Sequence, residues 1–329
     1  MGKRKLIAQD GRVFLGEGFG SGKNVLMDVV CHRDMVGYQE IITDPAKCGK
    51  GVLFTYPILG SYGIIPEDAE SDRIQIQGLI CHEYNAMPSN FRQEKSLGDA
   101  MEEEGVPGIY GVDTRAIQKH IAKTNLSKFY LCDEDDEWVD ASVETLEYPE
   151  VKSRHYENLE RPKIVLVDLG ATYSFIDKLR QLPFDLTIIN KSEIQALQDY
   201  DCMLISDGPE GQEIEGLKNV HIPLIGIGLG AVLLAEVSGL DLEMHCLGHY
   251  GNNHGVMHVE TGQVDFYSQS HRHFLTGSAQ EASGLEVLYR NTLDQSVEGF
   301  SLEHGRRLGL FFTPSQEVLE KHIKEVIHA

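Results

Sequence analysis

No apolar stretch in this chain is long enough to span a bilayer, so a helical membrane protein is not expected. A secretory leader is not expected either. The basic start Met1-Gly-Lys-Arg-Lys is followed only by Leu6-Ile-Ala before Gln9-Asp10-Gly11 breaks the run. Leu6 stands where N-myristoylation wants Ser or Thr. Basic charge is scarce: 29 Lys and Arg against 51 Asp and Glu give a formal net charge of -22. Such a surface repels phosphate backbones and anionic membranes and favours solubility. Paired cysteines are absent as well. Cys31, Cys48, Cys81, Cys132, Cys202 and Cys246 are dispersed without any Cys-x-x-Cys, which predicts reduced, mostly buried thiols and no zinc site. The expected compartment is the cytoplasm, with no nucleic-acid or membrane partner.

What remains is ample material for two cores: 329 residues, 41% hydrophobic and 24% charged. The first part is rich in strand formers and turn signals. Val13-Phe14, Val25 to Cys31, Val52 to Tyr56 and Ile74 to His82 read as strands. Ser96 is placed to cap one helix, and a second starts at Asp113-Thr114-Arg115 with Ala116, Ile117, His120 and Ile121 at helical spacing. The acidic run after Cys132 and a polar, Pro-dotted stretch to Arg161-Pro162 put the boundary near residues 140–162. The two expected domains are 1–145 and 160–329. The second alternates strand and helix: Lys163 to Asp168, a helix near Tyr173 to Gln181, then Asp185 to Ile189, Cys202 to Ser206, Pro223 to Ile227, Val264 to Ser268 and Arg307 to Phe312, closed by a helix from Ser315 to Ile327. That pattern gives an α/β fold with a mainly parallel sheet covered on both faces.

The organising stretch is Ile222-Pro-Leu-Ile-Gly-Ile-Gly-Leu-Gly-Ala-Val-Leu-Leu234, a strand, a Gly-rich turn and an apolar helix start. Nucleophilic hydrolases carry Ser or Cys at the apex of such an elbow, where the helix N-terminus favours an anion. The apex here is Gly228. The glycines could instead cradle a phosphate, but the lysine of a phosphate loop is missing. The histidines from His245 to His273 match no zinc spacing, so no metal is expected.

Gly37-Tyr-Gln-Glu-Ile-Ile-Thr-Asp-Pro45, Phe54-Thr-Tyr-Pro-Ile-Leu-Gly-Ser-Tyr-Gly63, Ser89-Asn-Phe-Arg92 and Gly108-Ile-Tyr-Gly-Val-Asp-Thr-Arg-Ala116 carry, in order and spacing, a resemblance to the small subunit of carbamoyl phosphate synthetase. The second half resembles that subunit's Rossmann-like class I glutamine amidotransferase domain. The resemblance implies a β-rich α/β first domain and a large subunit as partner, which would use ATP and bicarbonate; this chain itself would hold no cofactor. In the family an elbow Cys attacks the glutamine amide, a His moves protons, a Glu orients it, and backbone amides hold the oxyanion.

Carried over by position, the catalytic Cys falls on Gly228, and the His-Pro-Glu falls on Thr313-Pro314-Ser315. Gly cannot attack, and Thr has no useful basicity near neutral pH. The former substrate pocket maps to Ala46, Gly208, Glu210, Leu229, Val232, Ser270, Arg272 and His273. The expected protein is a small-subunit-like chain with a degenerate glutaminase site, a non-hydrolytic structural or regulatory subunit of an ammonia-using synthetase in arginine or pyrimidine synthesis. The alternative is a free-standing pseudoenzyme that binds another ligand or protein partner through a remodelled cleft.

Overall fold

The computed structural model describes residues 2–138, 148, 151, 153–158, 161–197 and 199–329. The chain divides into two units, Met1–Glu147 with Cys246–Tyr250, and Tyr148–His245 with Gly251–Ala329. Most of the connection expected near 140–162 lies outside the described residues. The sequence reading gave Cys246–Tyr250 to the second domain. That segment groups with the first unit, where the Cys246 N–H donates to Asn125 Oδ1 at 2.8 Å and Tyr250 joins the core.

The first unit contains β1 (Lys3–Ala8), β2 (Val13–Gly20), β3 (Val25–His32), β4 (Lys50–Phe54), β5 (Ile58–Leu59), β6 (Gly78–Ile80), β7 (Glu83–Tyr84), β8 (Pro107–Tyr110) and β9 (Lys128–Asp133). Its helices are α1 (Tyr38–Ile42), α2 (Leu97–Glu103) and α3 (Thr114–Thr124). Seven strands close a barrel in the order β1-β2-β8-β6-β4-β3-β9, while β5 and β7 form a separate pair. Strands β3, β4, β6 and β8 run parallel to one another. Because β4 and β6 are buried on both faces, they read as continuous apolar runs. Alternation then sorts their side chains. Val29, Cys31, Leu53 and Ile80 pack with Ile117 and Ile121 of α3. Val30, Val52, Phe54 and Leu79 pack with Leu97 and Met101 of α2. Ser96 Oγ accepts the Asp99 N–H at 3.1 Å, and Asp113 Oδ1 accepts that of Ala116 at 2.9 Å, as the capping signals require. The strand expected over Ile74 to His82 shrinks to Gly78–Ile80, since Gln75 and Gln77 spend their N–H groups on Ile42 O and Lys50 O.

The second unit has β10 (Arg154–Tyr156), β11 (Lys163–Val167), β12 (Asp185–Ile189), β13 (Cys202–Ile205), β14 (Leu224–Ile227), β15 (Leu242–His258), β16 (Val264–Leu275), β17 (Glu286–Asn291), β18 (Val297–Leu302), β19 (Arg307–Leu310) and β20 (Phe312–Thr313). Helices α4 (Tyr173–Arg180), α5 (Leu229–Val237), α6 (Gly277–Gln280) and α7 (Gln316–His328) accompany them. One sheet runs β10-β12-β11-β13-β14-β19-β18-β17-β15-β16-β20. Its centre, β12-β11-β13-β14-β19, is parallel, with β14 flanked on both sides. The two faces of these strands carry separate cores. Val165, Val167, Met203, Ile205 and Leu224 pack against α5, and Ile164, Leu166, Cys202, Leu204, Ile225 and Ile227 face α4 and α7. Helix α5 is buried from Leu229 through Ala235, as a helix apolar all round should be. The antiparallel strands β15, β17 and β18 were not expected, because their polar residues blur the alternation that marks a strand.

Two glycines set the distance of α5 from the sheet. A Cβ on Gly226 would overlap the backbone of Gly230 and Ala231, and one on Gly230 would overlap the carbonyl of Ile205. Gly226→Ala is therefore expected to lower stability by about 1–3 kcal/mol in urea unfolding. Gly277→Ala, where a Cβ meets nothing within 4 Å, should stay within about 0.5 kcal/mol of the parent. Equal midpoints for the two variants would refute the close approach.

Candidate functional site

The elbow forms where the sequence placed it. Strand β14 ends at Ile227, α5 begins at Leu229, and Gly228 between them has φ 54° and ψ −115°. That conformation is open to Gly and strained for any other residue. The Gly228 N–H donates to Leu310 O of β19 at 2.8 Å, which pins the turn to the carboxyl edge of the parallel strands.

The space above this turn is filled by Asp207. Its Oδ1 accepts the N–H of Leu229 at 2.8 Å and the N–H of Gly208 at 2.9 Å. A Cβ at position 228 would overlap the Asp207 carboxyl group. Two backbone donors and the positive end of α5 thus converge on one carboxylate oxygen, an arrangement suited to an anion. The buried Ser206 hydroxyl holds the aspartate in place, donating to Asp207 O at 2.7 Å and accepting the Leu169 N–H at 2.8 Å.

Beside it, Arg272 grips Glu210 with two parallel bonds, Nε to Oε1 at 2.9 Å and the second guanidinium nitrogen to Oε2 at 2.5 Å. The Arg272 side chain is only 7% exposed, so this bidentate pair is partly desolvated and costly to break from one side. On the same strand, His271 places Nε2 3.1 Å from Glu298 Oε2 and Nδ1 3.0 Å from His273 O. Glu298 is fully buried and accepts the Ser296 hydroxyl at 2.9 Å. Both ring nitrogens of His271 thus lie within hydrogen-bond distance of an oxygen.

The sequence-predicted residues therefore divide. Gly208, Gly228 and Leu229 come together around Asp207, and Glu210 meets Arg272. Val232 is buried in α5, while Ser270 and His273 are half-buried on β16. Thr313 pairs with Ser268 in the β16–β20 ladder, and Ser315 caps α7 by accepting the Val318 N–H at 3.3 Å. Ala46 belongs to the first unit, in a short turn where Asp44 Oδ1 accepts its N–H at 2.9 Å. All six cysteines are buried, and burial pushes the Cys202 thiol well above its ordinary range. Sequence reasoning missed the roles of Asp207 and Glu298. An acidic residue in Asp207-Gly208-Pro209, at the carboxyl end of a strand, was a usable signal for the first; nothing local marks the second.

Such an elbow on a parallel sheet suits a class I glutamine amidotransferase fold, and residues 165–314 match the family described as glutamine amidotransferase class-I. Residues 6–131 match the CPSase domain of the carbamoyl-phosphate synthase small chain. The carbamoyl phosphate synthase small chain of Bacillus caldolyticus is 34% identical over 90% of this chain and 87% of its own length. That of Streptococcus agalactiae is 33% identical over 95% of this chain and 92% of its own. The chain belongs to the carbamoyl phosphate synthase small chain family. A glutamine amidotransferase structure from Thermotoga maritima overlaps 51% of this chain and 82% of its own, at 18% identity and a TM-score of 0.37.

The Asp207 contact predicts a coupling. Gly228→Ala should destabilise the parent, yet its penalty should shrink by at least about 1 kcal/mol in an Asp207→Gly background. An Asp207→Asn background, which keeps the volume, should retain the full penalty. Strictly additive urea-unfolding energies would show that Asp207 does not occupy the space.

Proposed function

We propose that this chain is a non-hydrolytic small-chain subunit, which docks on a carbamoyl phosphate synthetase large subunit that works from free ammonia, ATP and bicarbonate. The observation that carries the reading is the Asp207 carboxylate on the Leu229 and Gly208 N–H groups. In a glutaminase those donors would stabilise the oxyanion of the tetrahedral intermediate. Here a resident anion takes them and fills the room that a nucleophile's Cβ needs. The residue types support the same conclusion. Gly228 has no side chain, Thr313 sits in a ladder with Ser268, and Ser315 is spent on a helix cap. The Arg272–Glu210 pair adds two large side chains at positions the resemblance assigns to the glutamine pocket.

The docking role rests on the first unit, where the family's motifs survive in Gly37–Pro45, Tyr56–Gly63 and Gly108–Arg115. Binding through these segments should bury at least roughly 1,000 Å² and survive purification. Arg92 is a suitable probe: its side chain is 45% exposed and, among the described residues, pairs with the carboxylates of Asp68 and Glu67.

The isolated protein is expected to release no ammonia from glutamine above background, consistent with a loss on the order of 10⁶-fold when a whole triad is removed. Gly228→Cys alone should not restore turnover. With the large subunit, ammonium should support carbamoyl phosphate formation and glutamine should add nothing. Arg92→Glu should weaken co-purification while leaving the thermal melt unchanged. Robust glutamine hydrolysis by the unmodified chain would overturn the reading; failure to bind any large subunit would leave a free-standing regulator.

A further inference from the structure

Helix α7 carries a polar residue in the row it buries. Leu319, His322, Ile323 and Val326 are its buried positions, spaced as an amphipathic helix requires. Leu319, Ile323 and Val326 share one core with Cys202, Leu204, Ile225 and Ile227 of β13 and β14. His322 stands in the same row and is only 4% exposed. Its Nε2 lies 2.8 Å from the hydroxyl of Tyr289 on β17. Its Nδ1 lies 2.9 Å from Glu325 Oε2, one turn further along α7.

These partners dictate where the protons sit. An ionised carboxylate only accepts, so Glu325 holds the imidazole proton on Nδ1, and Nε2 accepts from Tyr289. Every donor in the chain then has an acceptor. A second proton reverses the inner bond. Nε2 becomes a donor, the Tyr289 oxygen must accept, and the hydroxyl proton is left buried with no acceptor among the described residues. The surroundings oppose that second proton as well. Burial holds the His322 pKa below the ordinary histidine value; Glu325 draws it upward, while Lys321 and His258 push it down. Glu325 is 53% exposed, so solvent weakens its pull. His258 of β15 sets its ring edge-on to that of Tyr289, 5.0 Å away, and Tyr267 and Asp265 of β16 face Tyr289 from beyond. The β13 and β14 side chains in the core with α7 are apolar but for the Cys202 thiol.

We infer that protonation of His322 frees α7 from the sheet, so that Tyr289, His322 and Glu325 form an acid-released latch. A histidine of this kind binds its second proton more readily in a released helix than in a docked one. Its contribution to docking is therefore whole above the ordinary pKa of about 6.5, and is lost as the pH falls through the lower docked value. Release uncovers the face of β13 and β14 turned away from α5. The latch lies within the second unit and stands or falls independently of the glutaminase reading.

The test is amide hydrogen exchange of the full chain, read by mass spectrometry at pH 7.5 and pH 5.5 and corrected for the intrinsic pH dependence of exchange. Helix α5, whose buried residues carry no ionisable side chain, is the internal reference. One histidine proton allows a loss of at most about tenfold over this range. Protection of α7 is expected to fall about three- to tenfold relative to α5 at the lower pH. In His322→Gln, and in His322→Phe, which keeps an aromatic ring in the apolar row, that relative fall should vanish. Thermal melting shows which variant folds, and if neither does, the parent's α7-to-α5 ratio decides alone. An unchanged ratio in the parent, or the same fall persisting in a folded variant, would each rule the latch out.

Discussion

Helix α5 lies so close over β13 and β14 that no methyl group fits between them at Gly226 or Gly230. The remainder of the second unit's site depends on that approach. It brings the first turn of α5 to the carboxyl edge of the sheet and forces the chain through positive φ at Gly228. It also leaves the Leu229 N–H, which has no partner within the helix, aimed at the loop after β13. Packing explains why the approach holds. Seven consecutive residues of α5 are buried, so the helix has no second surface on which to settle.

An exposed donor at a helix N-terminus attracts an anion, and this chain supplies one from the loop that follows β13. Asp207 follows directly from β13 through Ser206, and its side chain folds onto the Gly208 and Leu229 N–H groups. The consequence is mutual. The turn satisfies a half-buried carboxylate, and the carboxylate satisfies two backbone donors that a bare Gly228 turn would leave to solvent. Arg272 and Glu210 settle a similar account nearby, each neutralising a charge that burial would otherwise penalise.

The first unit is governed by a different constraint. Its parallel barrel strands are covered on both sides, so alternate residues of one strand serve two cores, one completed by α3 and the other by α2. Polar side chains that enter such a barrel must find partners inside it. Lys50 does so with Asp28 at 2.9 Å, and Lys47 with Asp44 at 3.0 Å. Gln75 is satisfied at one end only: its Nε2 donates to Ser71 Oγ at 2.9 Å, while its buried Oε1 has no donor among the described residues.

Local signals were enough for much of this. The helices capped by Ser96 and Asp113, the central strand through Ile225 and the Gly228 elbow are legible because each depends on residues a few positions apart. Capping and periodicity act within one or two turns of chain. Strands β15, β17 and β18 were not legible, since their polar residues gain partners only once the sheet forms. The site's bonds are further beyond reach. Asp207 to Leu229 joins residues 22 apart, His271 to Glu298 joins residues 27 apart, and Arg272 to Glu210 joins residues 62 apart. That Gly228 stands at the turn is plain from the residues alone, because folding cannot add a side chain. That Asp207 lies over the turn follows only from the fold, because strand order and the close approach of α5 choose which distant carboxylate reaches those N–H groups.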